Sequence, residues 1–156
     1  MDFPPEGILI RVINMKDSHD LLSSILKTTQ MGQIGIRSLL KAPLRASLKD
    51  ELRSQLREYD AIEREALQLA AIRGIPVKQL DPAIQSMTDM MTKMKLTFGD
   101  TSSKAAAMMV QGNTRGIIKG YKNLNRFDPS DQRIVLLSQK LLDCEKANIQ
   151  QLQGFL

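Results

Sequence analysis

The sequence predicts an all-α protein of four long helices, arranged as two helical hairpins joined by a crossover that contains a short fifth helix. Three observations point there. Aromatic residues make up only 4% of the 156 residues and Trp is absent, while Leu, Met, Ala and Gln are plentiful, which favours helices over a β-sandwich. Apolar residues recur at helical spacing between recognisable start and stop signals. The link between the second and third long helices is much longer than the other two. A short link leaves neighbouring helices antiparallel, whereas a long one lets the chain cross from one end of a bundle to the other.

Each element follows from local chemistry. The run Ile8-Leu-Ile-Arg-Val-Ile13 is short and β-branched; with no second strand to pair with, it predicts residues 1–16 as an N-terminal arm laid against a helix. Asp17 suits an N-cap and apolar residues recur through Leu40, so the first helix spans 17–42 and stops at Pro43. Ser47, Asp50 and Glu51 supply a capping hydroxyl and early acids for a helix over 47–73, which Gly74 and Pro76 end. Asp81-Pro82 reads as a cap followed by proline at the first helical position, and starts the crossover helix over 82–96. The stretch Phe98-Gly-Asp-Thr-Ser102 breaks it. The next long helix covers 103–126, and Asp128-Pro129 repeats the cap-plus-proline start for the last, over 129–155. The four long helices would each span about 35–40 Å at 1.5 Å per residue, and residues 1–156 read as a single domain.

Composition excludes several classes of function. Hydrophobic residues at 42% and charged residues at 25% describe a globular chain with its own core. The single cysteine, Cys144, rules out an internal disulfide and a cysteine zinc cluster; the single histidine, His19, rules out a site that needs two. No apolar run approaches the roughly 18 residues of a membrane span. The first residues carry two acids and two prolines and do not fit a secretory signal, which predicts a cytoplasmic protein with Cys144 reduced. The formal charge of +5 is compatible with anionic partners. There is no glycine-rich phosphate loop, nucleotide fingerprint or Cys–His dyad.

Two helical seams carry unexpected polar residues. Steps of four and three along the second helix align Leu52, Leu56, Tyr59, Glu63, Ala66 and Ala70; along the last helix they align Ile134, Ser138, Leu141, Glu145, Asn148, Leu152 and Phe155. A buried carboxylate is expensive unless paired, hydrogen-bonded or metal-bound; the plain alternative is a seam that drifts, leaving each glutamate at its exposed edge. The two halves also echo each other. Gln30 is followed by Gly35-Ile36 and Gln111 by Gly116-Ile117, and Gln30 precedes Glu63 by 33 residues where Gln111 precedes Glu145 by 34.

This pattern over residues 17–156 resembles the ferritin-like superfamily, in particular its small bacterial members. The resemblance implies a four-helix bundle of two hairpins with a crossover, and a di-metal site taking one Glu from each of two helices and Glu-x-x-His from each of the other two. Carried over, the Glu-x-x-His positions are Glu63 with Ala66 and Glu145 with Asn148; the lone-carboxylate positions are Gln30 and Gln111. The first helix has no acid between Leu21 and Lys49, and the third long helix none between Thr101 and Phe127. Two divalent cations require anionic ligands that these helices do not contain. The six positions therefore read as a vestigial site in which a polar network replaces the metals. No catalytic residue, cofactor or metal is expected, with iron or manganese the alternative if Glu63 and Glu145 still bind.

Other features have both plain and sharper readings. Met87, Met90, Met91 and Met94 form a stripe that serves packing or, alternatively, a partner groove. Gly112, Gly116 and Gly120, with Gly32 and Gly35, suggest close helix approach, since each glycine costs about 1 kcal/mol in a helix interior. Arg115, Lys119, Lys122 and Arg126 form a basic face, either simply solvated or an anion surface; only Tyr121 is an aromatic nearby, which disfavours nucleic acid. The expected role is a non-enzymatic structural or interaction protein with a protein partner or a second copy of itself.

Overall fold

A computed structural model describes residues 5–81, Ile84 and 99–156, with the backbone alone described for residues 10–14. It contains four long helices: α1 (Glu6–Leu39), α2 (Ala46–Arg73), α3 (Thr101–Arg126) and α4 (Gln132–Leu152), the last running into a 3-10 turn at Gln153–Phe155. No strand occurs among the described residues. None of the described helices is long and apolar enough to cross a membrane. The crossover helix expected over 82–96, with its four methionines, lies outside the described residues apart from Ile84.

The N-terminal expectation is overturned. Residues 6–16 are not an arm but the first turns of α1, which is 34 residues long. Isoleucine and valine lose only a few tenths of a kcal/mol in a helix, and a helix satisfies its backbone groups without the partner strand this segment lacks. Glu6 stands in the first turn, where the helix dipole favours an acid. Asp17 is therefore no cap. Its carboxylate accepts a hydrogen bond from the backbone N–H of Asp128 at 2.9 Å, tying the body of α1 to the α3–α4 loop.

Helix ends elsewhere move by a few residues, for reasons set by their neighbours. Arg45, not Ser47, precedes α2, and its own N–H is satisfied across the bundle by the hydroxyl of Ser102 at 2.9 Å. Gly74 ends α2 as expected, in the left-handed region at φ 64°, and Ile75 N–H closes onto the carbonyl of Ala70 at 2.9 Å. Asp100 caps α3 by accepting from Ser103 N–H at 3.1 Å. The last helix starts three residues later than the Asp128-Pro129 signal suggests. Asp131 is its cap, accepting from Arg133 N–H at 3.0 Å while also receiving Arg73 at 2.6 Å. Partial burial alone would push the Asp131 carboxyl up, but the Arg73 and Arg133 hydrogen bonds hold it below the ordinary carboxylate range.

Packing follows the hairpins. The most extensive contacts are α3 on α4 and α1 on α2; the hairpins meet mainly through α2 on α4, and α1 touches α3 less. Leu21, Leu22, Ile25 and Leu26 from α1 share the core with Leu52, Ile62 and Leu69 of α2 and Ile134 and Leu137 of α4. Helix α3 contributes mainly small residues, Ala105 and Ala106, which let it lie close to α4. The α4 seam is buried from Ile134 to Leu152, with Glu145 and Asn148 inside it. The α2 seam drifts, so that Gln55 and Ile62 are buried while Glu63 is half-buried at the edge.

The glycine stripe divides. A Cβ on Gly116 would lie 2.9 Å from the Glu145 carboxylate, and one on Gly120 would lie 3.1 Å from Leu142, so both glycines face α4 closely. Gly112 is exposed, and nothing lies within 4 Å of a Cβ there. Gly32 faces Tyr59 of α2, and Gly35 faces Met109 of α3.

Candidate functional site: a polar-floored cavity between α1 and α3

The looser α1–α3 side of the bundle opens into a cavity of about 400 Å³. Its walls are mostly apolar: Met31 and Leu39 from α1, Met108 and Met109 from α3, and Leu80 from the segment after α2. Tyr59, Asn113 and Glu145 form its floor. These three come from α2, α3 and α4, so tertiary packing alone brings them together.

Two glycines shape this floor. Gly32 leaves room for the Tyr59 ring, whose nearest carbons would sit 2.7 Å from a Cβ, and Gly116 leaves room for the Glu145 carboxylate. Tyr59 is 1% exposed and Glu145 2% exposed. The Tyr59 hydroxyl donates to Asn113 Oδ1 at 2.9 Å and accepts from Asn148 Nδ2 at 3.4 Å. Three buried polar atoms of this cluster have no protein partner: Asn113 Nδ2, Glu145 Oε2 and Asn148 Oδ1. Buried polar atoms are rarely left unpaired; Asn113 and Glu145 border the cavity, but these three atoms have almost no accessible surface of their own.

Electrostatics makes this floor neutral. Burial pushes the Glu145 carboxyl from its ordinary 4.5 up to about 8, and the nearby Tyr59 hydroxyl only partly opposes the rise. Burial, and then the proximity of Glu145, hold the Tyr59 phenol well above its usual range. At pH 7 both groups keep their protons. The mouth is cationic: Lys27, Arg115 and Lys119 line it, and among the described residues no carboxylate forms an ion pair with any of them.

The sequence-derived site positions separate. Glu145, Asn148 and Ala66 are buried in the bundle. Gln30 does not reach the centre; it donates to Gln79 Oε1 at 3.1 Å and accepts from Leu80 N–H at 3.0 Å, pinning the segment that carries Leu80 against α1. Gln111 is exposed. The buried amide on α3 is instead Asn113, two residues on and so about 200° around the helix. The glutamine that meets Glu63 is Gln33, whose Nε2 donates to Glu63 Oε2 at 3.2 Å. The expected convergence of Gln30, Glu63, Gln111 and Glu145 is thus corrected to a cluster of Tyr59, Asn113, Glu145 and Asn148, with a separate Gln33–Glu63 pair. Carboxylates placed at 30 and 111 would not face Glu145. A usable signal for Asn113 was present: it lies four residues after Met109 and three before Gly116, on the face that meets the bundle.

Among the described residues no three His, Cys, Asp or Glu side chains gather. The floor's donor set is one carboxyl, a phenol and two amides, which does not fit a di-metal centre. The basic face also divides. Arg115 and Lys119 line the cavity, whereas Lys122 is exposed elsewhere and Arg126 packs over the Phe127 ring at 5.3 Å. His19 bonds its neighbour Asp20 at 2.9 Å.

Cys144 stands behind the cluster. It donates to Glu58 Oε2 at 3.4 Å and accepts from Asn148 Nδ2 at 3.8 Å. Burial first, then the Glu58 charge, push its thiol well above the ordinary range, so the nucleophilic thiolate is scarce. Iodoacetamide at mildly alkaline pH is expected to alkylate Cys144 far more slowly in the folded protein than in the urea-unfolded chain. Equal rates, followed by mass spectrometry, would contradict this.

Fold and site together define an all-α bundle with an amphipathic cavity floored by neutral hydrogen-bonding groups. No protein-family model matches the sequence, and no curated protein or solved structure is significantly similar to it.

Proposed function

We propose that this chain is a non-enzymatic binding protein, a ferritin-like bundle in which a hydrogen-bonding cluster that includes Glu145 and Asn148 replaces the di-metal ligands of that superfamily. The observation that carries this reading is the cavity itself, an apolar chamber of about 400 Å³ with the buried polar side chains of Tyr59, Asn113 and Glu145 at its floor. Among the described lining residues no His, Cys or Ser offers a base or nucleophile, and Tyr59 and Glu145 have almost no accessible surface through which to reach a substrate. An apolar chamber with a few convergent polar groups is the usual form of a small-molecule site.

Two measurements test this. Nile red, a neutral apolar dye, is expected to bind saturably and to be displaced from the Gly112→Leu variant, whose new side chain enters open space at the cavity lining. Purified protein incubated anaerobically with Fe(II), or with Mn(II), and then desalted is expected to retain less than stoichiometric metal. Stoichiometric metal lost on Glu145→Gln would instead establish the residual metal-binding reading through Glu63 and Glu145. Dye binding unaffected by Gly112→Leu would remove the cavity from the account.

A further inference from the structure

We propose that the ligand of this cavity is an amphipathic oxyanion, its anionic head at the mouth and its apolar body against the chamber wall. The inference rests on the cavity being the working site, and deepens that reading by naming the ligand's chemistry from two independent features of the chamber.

The first is the mouth. Lys27 is half-buried, Arg115 and Lys119 are exposed, and all three line the cavity without an ion-pair partner among the described residues. Glu145 is the one acid in the described lining, and it stands at the floor with its proton on at neutral pH. An acidic head group at the mouth therefore meets three cations and, among the described lining residues, no ionised carboxylate. Arg115 can bond a carboxylate or phosphate through two parallel N–H groups, and the lysines add charge.

The second is the wall. Met31, Met108, Met109, Leu39 and Leu80 offer unbranched or flexible apolar side chains, and methionines adapt to irregular apolar shapes. Leu80 is held in place by the Gln30 side chain, which bonds both the Leu80 N–H and the Gln79 amide. The retained glutamine thus has a task different from metal ligation: it closes one side of the chamber with an apolar residue.

Isothermal titration with three small probes tests this: decanoate, decyl phosphate and decanol. Decanoate is expected to bind about tenfold more tightly than decanol, which lacks the anion. Decyl phosphate binding more tightly than decanoate would assign the head as a phosphate ester; the reverse would assign a carboxylate. The triple change Lys27→Gln, Arg115→Gln and Lys119→Gln alters exposed or half-exposed residues, and is expected to weaken decanoate about tenfold while leaving decanol unchanged. Equal affinity for decanoate and decanol, with Nile red still displaced by both, would overturn the oxyanion inference and leave the cavity reading standing. Failure of every probe to displace Nile red, together with dye binding indifferent to Gly112→Leu, would overturn both.

Discussion

Raising the pH from 4.5 to about 8 is expected to destabilise the bundle, and Glu145→Gln is expected to remove most of that loss. The sign follows from linkage. In the unfolded chain Glu145 ionises at its ordinary 4.5; in the folded protein it holds its proton to about 8, chiefly because burial penalises the charge. The folded-state value is raised, so the contribution of a neutral Glu145 is fully present below 4.5, declines through the window and is gone above about 8. Within the window each pH unit is worth about 1.4 kcal/mol, for a total of several kcal/mol. Glutamine keeps the shape and the hydrogen-bonding capacity but cannot ionise. Urea denaturation of both proteins across the window should give a falling midpoint for wild type and a flatter one for the variant. Parallel pH profiles would show that Glu145 is not held neutral.

The second large effect concerns the glycines that admit the floor groups. Gly32→Ala is expected to destabilise by about 1–3 kcal/mol, because an added methyl overpacks a filled core. Its Cβ would stand 2.7 Å from the Cε2 and Cζ atoms of Tyr59, whose ring is 1% exposed and whose hydroxyl is held by Asn113 and Asn148. The ring has nowhere to turn, so the helices must part. Gly116→Ala meets the Glu145 carboxylate at 2.9 Å and is expected to lose a comparable amount. Alanine itself favours a helix over glycine by about 1 kcal/mol, which sharpens the control: Gly112→Ala, with open space around its Cβ, is expected to stabilise by up to about that amount. Thermal melts of the three variants check the order. A stabilised Gly32→Ala would mean that Tyr59 is not locked at the floor.

Much of the fold could be read along the chain because its signals are local. Gly74 ends α2, and the α4 seam from Ile134 through Glu145 and Asn148 to Leu152 is buried as its spacing implies. The errors arose where a distant partner decided the outcome. Asp17 and Ser47 have the chemistry of caps, yet Asp17 serves the Asp128 amide across the bundle and the start of α2 is satisfied by Ser102 of α3. Asp128-Pro129 has the form of a helix start, but the cap is Asp131, whose carboxylate accepts from Arg133 N–H and is held by Arg73 of α2.

The candidate site divides the same way. Helical periodicity determined that a glutamate and an asparagine share the buried stripe of α4, and composition determined that α3, and α1 beyond Asp20, bring no acid to join them. Which amide faces Glu145 depends on the rotation of α3 about its own axis, set by Ala105, Ala106, Gly116 and Gly120 settling against α4. That rotation places Asn113 inside and Gln111 outside, although the spacing of the two halves had matched Gln111 to Gln30. The sequence alone therefore determined most of the helices and the buried stripe of α4, because propensity, capping and periodicity act within a few residues. Only the tertiary structure decided that Tyr59, Asn113 and Glu145 meet at the floor of a cavity, because helix rotation and approach are settled by the side chains of the neighbouring helix.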